Sequence, residues 1–341
     1  MREAIAPPDN FYRKKFAIDP SMQIMTAGSC FAQHIATHLR KRGFSVIDEE
    51  PAPAHLRDRT AKQFGYRTYS ARYGNIYTAR QLLQLLREAS GRFHPQDIIW
   101  ERGGRFFDAL RPAVEPDGLE SPEEVRAHRL DHLARVNSAV KKADLLIFTF
   151  GLTEAWQHTA SETVYPTAPG TIAGSFDPTQ HSFVNFAYEQ ILADFRHVRR
   201  FLKRRRPEMK FLVTVSPVPL AATAEDAHVL SATIHSKSIL RAVAGALATR
   251  FEDVDYFPSY ELISTPFFGN FYDESKREVT SEGVDMAMAT FIREHGGVSP
   301  TAKPEVDLEG RGQPPARSAL VPAQDPEAAI CEDILLEAFA P

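Results

Sequence analysis

The 341-residue chain is 43% hydrophobic and 25% charged, with a formal net charge of −4. These are the proportions of an ordinary globular protein, long enough for one large core or two smaller ones. They carry no electrostatic footprint for nucleic acid, and the basic run Arg204-Arg205-Arg206 closes a helical pattern, where it reads as a solvated face. The two cysteines, Cys30 and Cys331, have neither disulfide-framework nor metal spacing, and no apolar stretch is long enough to span a bilayer. The N-terminal MREAIAPPDNFYRKKFAI lacks an apolar core of signal-peptide length, which leads us to expect a cytoplasmic protein without a membrane span or a nucleic-acid partner.

In chain order, MQIMTAG predicts a first strand, and Phe31, Ile35 and Leu39 at four-residue steps predict the helix after it. GFSVID reads as a second, short strand. TARQLLQLLREAS (Thr78–Ser90) reads as a helix with Thr78 as N-cap, and SPEEVRAHRLDHLARVNSAVKKA as a second helix opened by a Ser-Pro-Glu-Glu signal. That helix delivers the chain to DLLIFTFG, a continuous apolar run of the kind buried on both faces of a parallel sheet. A helix across residues 185–206 leads to KFLVTVSP, a further buried strand. AEDAHVLSATIHSKSILRAVAGALATRF predicts a helix, VDYFPS a fifth strand and SEGVDMAMATFIREHG a closing helix. The alternation predicts an α/β fold over residues 1–297, a three-layer α/β/α sandwich around a five-stranded, mainly parallel, flavodoxin-like sheet. Residues 298–328 contain six prolines and no aromatic residue, the composition of a disordered linker, and residues 329–341 form an amphipathic pattern for a short C-terminal helix.

Sheets of this kind place functional groups at the carboxyl ends of their strands. The ends here read Gly28-Ser29-Cys30, FGLTEAW, VSPVPL and FPSYE, and RYGNIYTARQ follows the second strand. Glycine, hydroxyl, amide and carboxylate groups thus collect along one edge. A serine in a strand-to-helix turn holds its Oγ clear of the sheet, and N–H groups at the start of the next helix can stabilise a developing oxyanion. Ser29 is therefore the candidate nucleophile. The Cys30 N–H, Gly74 and Asn75 are the candidate oxyanion donors, with Asn75 equally readable as a turn or cap residue.

The blocks GSCFA, YGNIYTARQLL, FTFGLTEAW, VYPTAPG, TVSPVPL, HSKSILRA and DYFPSYELI resemble those of proteobacterial members of the GSCFA family, over roughly residues 16–296. That family is similar to the SGNH/GDSL hydrolases in its sandwich and order of blocks. The resemblance implies a serine nucleophile at Ser29 and an oxyanion-hole glycine at Gly74. The third block of SGNH enzymes reads Gly-x-Asn-Asp. Here Gly151-Leu152-Thr153-Glu154 stands in its place, so the asparagine is missing and Thr153 or Glu154 faces the site. The fourth block, Asp-x-x-His, is missing too: no histidine occurs between His235 and His295, and Glu278 falls near the expected position, with Asp273, Glu274 and Ser275 upstream.

The base must then be another group. His228, beyond the fourth strand at a helix start, is the candidate by position, with Glu154 and Glu278 as carboxylate candidates. His235, two turns on from His228, and His158 are weaker candidates, and the two histidines without a third ligand make no metal site. Cys30 is a possible nucleophile in its own right, though a buried inert thiol is the simpler reading. Gly28, Gly151, Thr153, Ser216 and the aromatic faces of Trp156 and Tyr260 complete the expected substrate-binding set. These residues predict a serine-dependent esterase or acyltransferase for an acylated carbohydrate or polysaccharide precursor. No cofactor is expected, beyond acetyl-CoA or another acyl thioester as a donor. The competing expectation is a glycan or nucleotide-sugar binding protein that kept the pocket and lost the base.

Overall fold

The computed structural model describes residues 5–296; the linker expected at 298–328 and the helix expected at 329–341 lie outside the described residues. The elements are β1 (Ile24–Gly28), α1 (Phe31–Lys41), α2 (Asp58–Gln63), α3 (Ala79–Ala89), β2 (Ile99–Arg102), β3 (Arg105–Asp108), α4 (Pro122–Lys142), β4 (Leu145–Phe150), β5 (Glu154–His158), β6 (Val164–Tyr165) and β7 (His181–Asn185). They continue with α5 (Tyr188–Lys203), β8 (Lys210–Val215), α6 (Val229–Arg250), β9 (Val254–Tyr256), α7 (Ser259–Ser264) and α8 (Ser281–His295).

The central sheet is wholly parallel, in the order β1-β4-β8-β9. Gly28 lies opposite Thr149 and Phe150 opposite Val215, so the strands end together along one edge. Side chains alternate between two helical layers. Leu145 and Ile147 pack with Phe31, Leu39, Ala287 and Phe291 from α1 and α8, whereas Leu146, Phe148 and Phe150 pack with Leu82, Val136, Phe195 and Leu240 from α3 to α6. The sheet has four strands, not the expected five. GFSVID pairs with β1 through a single parallel bridge, Val46 to Ile24, held by Ile24 N to Ser45 O and Ile47 N to Ile24 O. Pro51 and Pro53 follow at once, and such residues do not extend an edge ladder.

The helix starts follow their cap residues. Thr78 Oγ1 accepts from Gln81 N (3.1 Å) while Gln81 Oε1 accepts from Thr78 N (3.0 Å), a reciprocal capping box. Ser121 Oγ accepts from Glu124 N (3.1 Å), with Pro122 in the first turn of α4. Two antiparallel additions flank the sandwich: the β2–β3 hairpin and a three-stranded sheet ordered β6-β5-β7. The latter begins three residues after β4 and carries Glu154 and Trp156.

Beneath the hairpin lies a buried ion network. Asp108 accepts from Arg111 (2.8 Å) and Arg129 (3.1 Å), Arg129 also donates to Glu88 (2.9 Å), and His132 Nδ1 meets Glu50 (2.7 Å). Burial opposes charge on Asp108, yet Arg129 and Arg111 hold its carboxyl down at about 2. Burial and the same two arginines push His132 down to about 4 against the pull of Glu50, so it pairs as a neutral donor.

Candidate functional site

At the end of β1 the backbone leaves no room for a side chain. Gly28 has φ +141°, and a Cβ there would fall 2.5 Å from Thr149 O. This close approach lets Ser29 N donate to Thr149 O (3.2 Å) before the chain turns into α1, with Cys30 as its N-cap residue. Ser29 is 2% exposed, and its Oγ has no hydrogen-bond partner among the described residues. A buried hydroxyl left unpaired costs roughly 1–3 kcal/mol. Thr26, Thr149, Thr153 and Thr167 also have unpaired hydroxyls; Thr167 lines a small second cavity and Ser29 a larger one.

That cavity measures about 490 Å³ and opens at the carboxyl ends of β1, β4 and β8. Ser29, Cys30 and Tyr77 line it together with Gly151, Ser216 and Lys237. Gly151 is required by proximity: a Cβ would lie 3.0 Å from Ser29 Cβ and 3.0 Å from Tyr77 Cδ1. Ser216 Oγ accepts from Val218 N (3.3 Å), shaping the turn after β8. Across the mouth runs the segment from Tyr272 to Val279, closed by a bridge between those two residues. Asp273 organises it by accepting from Ser275 Oγ (2.6 Å), Arg277 N (3.1 Å) and Glu278 N (3.2 Å). Glu278 therefore stands on the exposed rim.

Lys237 is a cavity residue that the sequence reading did not single out. It lies on α6, is 1% exposed, and its Nζ donates to Gly151 O (2.6 Å). Among the described residues no carboxylate pairs with it, and burial pushes its ammonium down to about 7, opposed only by the nearby Cys30. Near pH 7 this amine is thus divided between its free-base and protonated forms. The signal was present in the helical periodicity, since position 237 falls with Leu240 and Ala244 on the buried face of α6.

The expected site residues divide among four places. Ser29, Cys30, Gly151, Ser216 and Glu278 line the main cavity. Glu154 and Trp156 line a second, smaller one, where Thr223 Oγ1 donates to Glu154 Oε1 (2.8 Å) and burial raises the carboxyl above its usual range. Gly28 and Thr153 support the walls from behind; Thr153 N donates to Ser236 Oγ (3.0 Å), one residue before Lys237. The rest do not line either cavity. A Cβ at Gly74 would point toward Val114 and Arg111. Asn75 is spent within a buried cluster, accepting from Tyr69 OH (2.5 Å) and Gln33 Nε2 (3.2 Å) and donating to Tyr77 OH (3.1 Å). Tyr260 packs half-buried against the core from α7.

The histidines stand away from Ser29. His228 is the exposed N-cap of α6, where Nδ1 accepts from Leu230 N (3.2 Å), and His235 is exposed on the same helix. His158 Nδ1 meets Ser161 Oγ (2.9 Å) in the β5–β6 turn. Among the described residues no histidine lines the Ser29 cavity, no acidic, histidine or cysteine cluster suits a metal ion, and no helix is long and apolar enough to cross a membrane.

Comparison with solved structures finds a carbohydrate esterase family 3 protein from Talaromyces cellulolyticus, at 10% identity and a TM-score of 0.35, covering 79% of this chain and 94% of that one. No curated protein matches the chain. The GSCFA family model matches residues 23–291, from the strand that precedes Ser29 to the last turns of α8, and the chain therefore belongs to the GSCFA family.

Proposed function

We propose that this protein is a serine-dependent acyl esterase or acyltransferase of SGNH-like design, with Ser29 as nucleophile and Lys237 as its base. The observation that carries the reading is the presence, in the lining of one cavity, of an unpartnered buried hydroxyl and a buried amine whose pKa burial lowers to about 7. Ser29 Oγ forms a bond to the acyl carbonyl carbon, the carbonyl π pair moves onto oxygen, and the serine proton passes to the Lys237 amine. Collapse of the tetrahedral intermediate breaks the bond to the leaving alcohol or thiol, which takes that proton. Water or a sugar hydroxyl then gives its proton to the Lys237 amine and attacks the acyl carbon; the bond to Ser29 Oγ breaks and the serine regains that proton, giving hydrolysis or transfer. The Cys30 N–H, just ahead of α1, is the donor for the developing oxyanion, since the N–H groups of Ala32 and Gln33 already bond Ser29 O and Cys30 O. The exposed rim at Glu278 leaves room for a polar alcohol such as a carbohydrate, and an acyl thioester is the fitting donor for transfer. An amine with a pKa near 7 is matched to proton transfer at neutral pH.

The lack of a histidine in the cavity favours one other reading, a glycan-binding protein without turnover. Purified protein assayed on p-nitrophenyl esters, and on acetyl-CoA with sugar acceptors, separates the two. Serine chemistry requires that Ser29→Ala abolish turnover and that Cys30→Ala retain it. The opposite pattern moves the nucleophile to the thiol, and equal turnover in wild type and Ser29→Ala removes Ser29 from the chemistry.

A further inference from the structure

The second cavity, of about 110 Å³, has no role in the chemistry just described. It shares Leu152, Pro166, Leu220 and Ala221 with the Ser29 cavity, so one set of side chains walls both. Leu152 directly follows Gly151, where an added Cβ would fall 3.0 Å from Ser29 Cβ, which places the annex beside Ser29. Its remaining surface comes largely from Trp156, Phe183 and the small side chains of Ala222 and Ala224, with Thr167 adding a hydroxyl that is unpaired among the described residues. Trp156 is held edge-on by Phe176 (5.1 Å) and Phe183 (5.6 Å), a rigid aromatic wall. The one carboxyl present, Glu154, already accepts from Thr223 Oγ1.

We propose that this annex is the acyl subsite of the same centre and selects a short, linear, apolar acyl group longer than acetyl. This rests on Ser29 being the nucleophile. Size and chemistry both point to it. An apolar cavity of ~150 Å³ takes benzene and a water occupies ~30 Å³, so 110 Å³ suits a chain of roughly four carbons and is too small for a sugar ring. An uncharged alkyl chain leaves the walls of Leu152, Trp156 and Phe183 dry, whereas a charged group would be desolvated beside the Glu154 carboxyl. The sugar or other alcohol part then remains in the larger cavity, toward the Glu278 rim.

The test has two arms. In the first, kcat/KM is compared for p-nitrophenyl acetate and butyrate. Wild type is expected to prefer butyrate by about ten-fold or more, and Ala222→Phe or Ala224→Phe, each filling the annex, to lower that ratio by about ten-fold. In the second, binding of the unreactive amide butyramide to Ser29→Ala is followed by saturation-transfer NMR. Butyramide should bind there and be lost from Ser29→Ala/Ala222→Phe, while acetamide distinguishes the two proteins little. Loss of butyramide binding on filling the annex, with no ester turned over by wild type, upholds the annex as a pocket for a short alkyl chain and overturns the serine chemistry and its acyl role. Ester turnover with a butyrate-to-acetate ratio that neither phenylalanine changes overturns the subsite and leaves the chemistry standing.

Discussion

Beneath the β2–β3 hairpin, Asp108 lies between Arg111 and Arg129, and Arg129 reaches on to Glu88, all within about 3.1 Å. At the ends of the parallel strands, Lys237 is just as deeply buried but has only the Gly151 carbonyl, and the Ser29 hydroxyl has no partner at all among the described residues. In the first region opposite charges offset the cost of burial and tie α3, β3 and α4 together, so that removing one partner would strand a buried charge. In the second the cost is left standing beside an open cavity, the arrangement on which the proposed chemistry rests. Unpaired buried polar atoms occur in both regions, His132 Nε2 in the first and Ser29 Oγ in the second, and what sets the second apart is the cavity of about 490 Å³ that Ser29 and Lys237 line.

The sharpest way to break that contrast is at Ser29. Ser29→Ala should lower ester turnover on the order of 10³-fold or more while leaving the urea midpoint equal or slightly higher, because an unpaired hydroxyl is removed. The reverse result is expected at Asp108. Asp108→Ala strands two buried guanidinium groups and should cost about 3–5 kcal/mol in urea unfolding, with kcat nearly unchanged in whatever fraction remains folded. Gly28→Ala couples the two regions through the backbone. With a Cβ 2.5 Å from Thr149 O and φ at +141°, it should destabilise and also displace Ser29, so Tm and turnover fall together.

Lys237→Met tests the cost of the unpaired amine. The folded pKa of about 7 lies below the ordinary lysine value of about 10.4, so between them the unfolded chain holds the proton that the folded chain has released. Wild-type stability should therefore rise with pH across that window. The methionine variant should be more stable by ~1–3 kcal/mol below pH 7, after allowing for the lost hydrogen bond to Gly151, with the gain shrinking toward pH 10. Urea unfolding at pH 6, 8 and 9.5 reads this. Wild-type turnover should fall as pH drops below about 7, where the amine is protonated. The smallest effect is expected at His228, an exposed cap: His228→Ala should cost about 1 kcal/mol or less and leave turnover unchanged. A large loss of turnover there would return the base to that histidine.

Much of the frame was legible from local pattern. The Thr78 and Ser121 caps, the apolar runs of β4 and β8 and the helical face of α1 are set within a few residues of chain, where periodicity and side-chain hydrogen bonds act directly. The β5–β7 sheet was not legible in the same way. Its register pairs Glu154 with Asn185 across a long excursion, and nothing near either residue specifies the other. As a result, Glu154 and Trp156 read as the end of the third block, whereas they belong to a new strand and a second cavity. Gly74 and Asn75 read as oxyanion donors from their position before a helix. Asn75 instead satisfies Tyr69, Gln33 and Tyr77, a cluster drawn from segments whose meeting depends on the packing of α1 against the loop after α2.

The sequence by itself determined that a serine would stand in a tight turn at the mouth of a parallel sheet, because strand pattern, glycine and helix start are local properties. It also determined that no histidine follows in the usual place before the last helix. Which other groups line the cavity of that serine was decided only by the tertiary structure. A lysine on a helix is ordinarily solvated, and only the packing of α6 against β8 and β9 takes Lys237 out of water and brings it to Gly151 O, in the lining of the cavity that Ser29 also lines.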